Sequence, residues 1–212
     1  MKAFKSLLMT FLALFIFLVS LGGGGLAEAA SRLKSISLDA PDSIRVGKHE
    51  EISVEAKYSD KSRKNVEIDS TIVTSDDDGK VRITKTGVLD NRLKMTGTKA
   101  GYVTVDVSYT EGSITKTTYK NIKVEPRFTI TFHTVMDVGE THQTTPKVYY
   151  EINNPEIVTN TVNYSSSNPS VATISRTGYI KAIAPGITTI KATTTDKVFG
   201  KTLVESYDLT VE

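Results

Sequence analysis

The chain has 212 residues, with 26 basic against 24 acidic side chains and a formal charge of +2. So small a balance points to no nucleic-acid partner. The absence of cysteine excludes disulfides, thiolate nucleophiles, cysteine-bound metals and a lipoprotein anchor on an N-terminal cysteine.

Residues 1–29 read as a signal peptide. Lys2 and Lys5 precede an apolar run from Leu7 to Leu21, then come four glycines and the small residues of Ala27-Glu28-Ala29, which fit an A-x-A cleavage pattern. The apolar run is shorter than the roughly 20 residues of a spanning helix, so cleavage is expected and no membrane span after it. The remaining chain, about 183 residues, suffices for two small domains.

Those residues carry a duplication. Ile44-Arg45-Val46-Gly47, Thr86-Gly87, Lys99-Ala100-Gly101 before the alternating 102–107, and Val124-Glu125 recur as Met136-Asp137-Val138-Gly139, Thr177-Gly178, Ala184-Pro185-Gly186 before 187–192, and Val211-Glu212. The offsets drift between 92 and 85 residues, as in two related domains whose loops differ in length. Residues 30–125 carry 17 basic and 15 acidic side chains, and residues 126–212 carry 7 and 8.

In chain order the predicted strands lie at 52–56, 103–107, 118–124, 148–150, 171–174, 188–192 and 207–211, each an alternating run rich in Val, Ile, Thr and Tyr. Turn formers separate them at Asp60-Lys61-Ser62, Asp76-Asp77-Asp78-Gly79, Glu111-Gly112, Asn153-Asn154-Pro155 and Asn168-Pro169-Ser170. No window has the period of an amphipathic helix. Sheets with one apolar face must cover it with another sheet, so the expected fold class is all-β, two tandem sandwiches of residues 30–125 and 126–212. Glu125-Pro126-Arg127 makes a short hinge, semi-rigid because of its proline. Val103, Val105 and Val107 are expected on the face that Thr188, Ile190 and Ala192 occupy in the second copy, held in register because a one-residue slip would turn the apolar face to water.

Val138-Gly139-Glu140, the run from Tyr164 through Ser165-Ser166-Ser167-Asn168-Pro169-Ser170 to Ile174, Gly178-Tyr179-Ile180 and Ala184-Pro185-Gly186 together resemble the bacterial immunoglobulin-like group 2 domain, BIG2, over residues 126–212. Residues 31–125 resemble a divergent copy, in which Ser75-Asp76-Asp77-Asp78-Gly79 stands where the second copy has Ser-Asn-Pro-Ser. The resemblance implies immunoglobulin-like sandwiches from a bacterium, of the kind found as stalks in intimin-like and invasin-like adhesins and as accessory domains of surface enzymes. The function it implies is a secreted, non-catalytic module pair in cell-surface attachment, adhesion or envelope structure, with a surface protein or glycan as partner. The alternative is a cell-wall or polysaccharide carbohydrate-binding protein, which aromatic residues aligned on one exposed face would favour.

Candidate chemistry is sparse. His49, His133 and His142 are scattered without metal-ligand spacing, and Ser165-Ser166-Ser167 lacks the context of a nucleophile elbow. Neither an enzyme nor a resident cofactor is expected. Asp76, Asp77 and Asp78 place three carboxylates on one turn and form a candidate weak calcium site. Of the adjacent Tyr149 and Tyr150, one is expected to face inward and the other outward, while Tyr58, Tyr109 and Tyr179 are expected near sandwich edges. The sequence shows no LPxTG-like sorting motif, so release or non-covalent retention at the surface is the expectation.

Overall fold

The computed structural model describes residues 31–67, 71–75, 79–85 and 92–212, the backbone only at 71–75. Nineteen strands and a 3-10 turn at Thr159–Thr161 make up the regular structure of these residues. The proposed signal peptide, Thr86-Gly87 and the Asp76–Asp78 turn lie outside them.

Residues up to 125 build two facing sheets. One orders β1 (Leu33–Asp39), β3 (His49–Tyr58), β7 (Leu93–Gly97) and β6 (Val81–Lys85), with β4 (Arg63–Asn65) also paired to β3. The other orders β2 (Ser43–Arg45), β9 (Ile114–Glu125), β8 (Gly101–Glu111) and β5 (Thr71–Ser75). The alternation of β8 buries Val103, Val105, Val107 and Tyr109 against Ile52, Val54, Ala56 and Met95 of the opposite layer.

The second half repeats the plan with its first layer divided. β10 (Arg127–Thr131), β13 (Thr145–Glu151) and β14 (Asn154–Ile157) form one piece, and β12 (Thr141–Gln143), β17 (Tyr179–Ala182) and β16 (Ala172–Ile174) the other. Where β3 runs unbroken, its counterpart is interrupted at Thr144, two residues before Pro146, which has no N–H for a ladder. The facing layer orders β11 (Val135–Met136), β19 (Thr202–Val211), β18 (Gly186–Thr195) and β15 (Asn163–Ser166). Thr188, Ile190 and Ala192 point into the core beside Tyr207 and Leu209, the register expected from the sequence.

Among the described residues, the first and last of the duplicated motifs correspond bond by bond. β2 pairs in parallel with β9, and β11 with β19. Past each short strand, Val46 N–H donates to Glu125 O at 2.9 Å and Val138 N–H to Glu212 O at 3.0 Å. Gly47 and Gly139 then turn the chain at φ of 79° and 87°, a conformation that favours glycine. Asn168 closes the expected Asx turn, its Oδ1 accepting from Ser170 N–H at 3.3 Å and Ser170 Oγ at 2.6 Å, which delivers Val171 and Ala172 to the core.

Two tyrosine expectations need correction. Tyr58 and Tyr109 are buried rather than at an edge, sharing the carboxylate of Glu111. Burial, with Glu111 beside it, pushes the Tyr58 hydroxyl up to about 12. Tyr149 and Tyr150 do not split into an inner and an outer residue: both are half-buried, because the register of β13 shifts between Tyr149 and Glu151. Pro155, expected in a turn, lies in β14 at the rim of its sheet.

Candidate functional site

The two halves meet through backbone as well as side chains. Beyond β13, Ile152 N–H donates to Thr98 O and Ala100 N–H donates to Tyr150 O, each at 2.7 Å, so Lys99 and Glu151 face each other as an antiparallel bridge. Their side chains approach to 3.6 Å. Tyr149, Tyr150 and Ile152 pack on the core of the first half, which explains why neither tyrosine is fully inside its own sandwich. The Arg127 guanidinium lies 4.0 Å from the centre of the Tyr149 ring and reaches to Gly47. The proline hinge is therefore clamped on both sides, and residues 31–212 form one compact unit.

Beside the hinge lies a cleft of about 340 Å³, lined among others by Arg45, Lys123, Glu125, Phe199 and Lys201. Glu125 accepts from Lys123 at 2.9 Å and stands 3.7 Å from Lys201. Lys123 beside it holds the Glu125 carboxyl below the usual range, and the same Lys123 holds Lys201 below the ordinary lysine value. Behind them the β18–β19 turn is built on Asp196, a buried carboxylate that accepts the N–H groups of Val198, Phe199 and Lys201 at 2.9, 2.6 and 2.9 Å. That turn presents Phe199, whose ring lies 4.2 Å from Lys123 Nζ and meets Tyr102 edge-on at 5.4 Å.

Tyr102 begins the outer face of the β8–β9 hairpin, and Tyr119 follows further along it, opposite Asp106; each ring is 67% exposed. Between them Thr104 donates to Asn121 Oδ1 at 2.8 Å. The face so combines two open aromatic rings with hydroxyl, amide and carboxylate groups. Tyr179, 46% exposed, stands apart in β17.

The histidines are less scattered than their spacing suggests. His133, in the loop after β10, stacks on His142 of β12 with ring centres 4.0 Å apart, and His133 Nδ1 lies 3.8 Å from Glu140 Oε1. Their separation in sequence concealed this approach, which the passage of the chain from β10 through β11 to β12 creates. Among the described residues, no three His, Asp or Glu side chains converge to hold a metal ion. Ser166 and Ser167 exchange hydrogen bonds with the buried Thr188, which gives the serine run a structural role. No helix of the described residues is long and apolar enough to cross a membrane.

Comparison with solved structures finds similar chains of low identity. Domains 5–6 of the S-layer protein SbsC share 17% identity over 85% of this chain and 98% of that one, with a TM-score of 0.34. The insect immune protein hemolin shares 15% over 90% of this chain and 48% of its own, TM-score 0.35. The D1–D4 ectodomain fragment of ICAM-5 shares 16% over 84% and 47%, TM-score 0.32. No curated protein matches the chain. The family described as bacterial Ig-like domain (group 2) matches residues 118–205, from within β9 into β19. This stretch, which holds all but the last strand residues of the second sandwich, belongs to the bacterial Ig-like group 2 family.

Proposed function

We propose that the chain is an exported, non-catalytic pair of immunoglobulin-like modules, residues 30–125 and 126–212 behind a signal peptide of residues 1–29, acting in cell-surface attachment, adhesion or envelope structure. The observation that carries this reading is the junction: hydrogen bonds at Ala100 and Ile152 join the sandwiches backbone to backbone, where a loose linker would leave them independent. Such a pair holds whatever binds at its loops and edges at a set spacing from its attachment point. Fractionation of the producing cells, followed by pull-down of surface proteins with the purified chain, tests it. Recovery at the envelope or in the medium is expected, and retention in the cytoplasm would refute it.

Tyr102 and Tyr119, open on one sheet face, favour a second reading, a binder of wall or other polysaccharide, since exposed rings stack on sugars. Affinity electrophoresis in polysaccharide gels decides: retardation abolished in Tyr102→Ala and Tyr119→Ala supports it, and free migration of the parent chain removes it. The Asp76–Asp78 turn remains a proposed weak calcium site, for which a melting temperature raised by millimolar calcium and lowered by chelator is the expected signature.

A further inference from the structure

The duplication lets the same end of each sandwich be compared. Gly47 N–H donates to Gly97 O as Gly139 does to Ala182 O, and Gly97 N–H to Lys48 O as Ala182 does to Glu140 O. Val46 thus corresponds to Val138, Lys48 to Glu140, Thr98 to Ile183, Ala100 to Pro185 and Tyr102 to Ile187. In the first half this end is covered by the hairpin of residues 149–153, and Val46 has no exposure. In the second half the same end is open: Val138 is 50% and Ile183 43% exposed, where their counterparts Val46 and Thr98 are buried.

We infer that this open end docks the opposite end of a second copy of the chain, so that copies associate head to tail. Two observations select that occupant. The first is shape. The hairpin that covers the first half has a counterpart at the far end of the molecule, residues 57–61: Val66 N–H donates to Val54 O as Val158 does to Pro146 O, and Lys61 and Asn153 share positive φ, 71° and 66°. This counterpart hairpin projects its tip, residues 59–61, into solvent.

The second is charge. Inside the chain the basic Lys99 of the covered end faces the acidic Glu151 of the covering hairpin. At the two free ends the signs are exchanged. Asp137 and Glu140 stand on the open end, where the covered end has Arg45 and Lys48; Glu212 flanks the one as Glu125 flanks the other. The free hairpin carries Lys57 and Lys61 against the carboxylate of Asp60 at its tip, and they line a groove with Lys34 and with Arg63, whose charge is paired with Glu55 at 2.8 Å. Each free end therefore suits the other and repels its own kind. Pro185 has no N–H to match the bond that Ala100 donates, so the contact between copies lacks one of the two backbone bonds of the internal junction and depends on concentration and salt. Because the two surfaces differ, association is heterologous and propagates beyond a dimer.

Sedimentation velocity on the purified chain, from micromolar to millimolar concentration, tests this. At low salt the mass is expected to rise past that of a dimer, and at high salt to fall back toward the monomer. Val138→Lys with Ile183→Lys blocks the open end, and Lys57→Glu with Lys61→Glu blocks the hairpin; all four positions are exposed, and thermal melting checks that each variant is folded. Each variant alone should stay monomeric. Their equimolar mixture should form a dimer and stop there, since one intact end and one intact hairpin remain. A parent chain that is monomeric at every concentration, a dimer that survives either pair of substitutions, or a mixture no larger than its components would overturn the inference.

Discussion

Replacing Ile190 by aspartate tests the register on which the second sandwich rests. Ile190 is wholly buried, opposite Tyr207 on one side and Ser166 on the other. Its side chain contributes about 2–3 kcal/mol by burial. An aspartate there meets no cation, so it folds protonated, and holding it so at pH 7 against an ordinary value near 3.9 costs about 4 kcal/mol. The neutral carboxyl without a partner costs about 1–3 kcal/mol more. Together these reach about 7–10 kcal/mol, against roughly 4–13 kcal/mol for a sandwich of this size. The second half should therefore lose most or all of its stability at pH 7, its cooperative unfolding transition abolished or moved far down in temperature, by circular dichroism and calorimetry. The first half should remain folded but melt lower, because the hairpin over Val46 and Ala100 goes with its neighbour. The pH dependence has a definite sign. The folded-state value of the new carboxyl is raised, so its ionisation penalty is absent below about pH 4 and grows as pH rises, and the variant should recover about 4 kcal/mol on acidification. Lys191→Asp, one residue on and exposed, should stay within about 0.5 kcal/mol of the parent. Equal damage from the two substitutions, or an Ile190→Asp chain that melts like the parent, would refute the assigned faces.

Ala100→Pro should remove the N–H donated to Tyr150 O, costing about 0.5–1.5 kcal/mol, and should speed hydrogen exchange at the Ile152 amide while both sandwiches stay folded; unchanged protection there would mean the junction does not depend on that bond. Gly178→Ala combines φ of +82° with a Cβ placed 2.3 Å from Thr144 Oγ1, so a loss of at least about 1–3 kcal/mol is expected in urea unfolding, and a neutral result would contradict the packing of Thr144 against Tyr164. Tyr58 ionises at 10.0 when unfolded and about 12 when folded, so its contribution is complete below pH 10 and is lost as pH rises toward 12. Tyr58→Phe should flatten the alkaline fall of stability in that window, and an unaltered profile would remove Glu111 and burial as its cause.

Long alternating runs such as 103–107 and 188–192 announce their faces, because the side-chain period of a strand is two and one face must leave water. Short strands carry too few residues to show a period. β2, β11 and β12 have two or three residues each and are defined by the neighbours they pair with, which lie far along the chain. Long-range pairing also hid the stacking of His133 on His142. Tyr149 and Tyr150 misled for a different reason: alternation assumes one regular strand in one sandwich, whereas the irregularity after Tyr149 turns both rings toward a second core.

The junction was nevertheless written in the sequence, in the places where the copies disagree. Lys99-Ala100-Gly101 reads as a worn version of Ala184-Pro185-Gly186 until the contacts are known. Position 100 must carry an N–H because Tyr150 O accepts it, and position 99 carries a cation because Glu151 faces it. At 185 no acceptor among the described residues requires a donor, and proline serves there, restricting the backbone just before Gly186 turns into β18 at φ of 148°. Between two copies of one fold, shared residues maintain the sandwich, and differing residues at equivalent surface positions record what each copy touches. That difference separates a covered end from an open one, and it distinguishes the two copies more sharply than any residue of their cores.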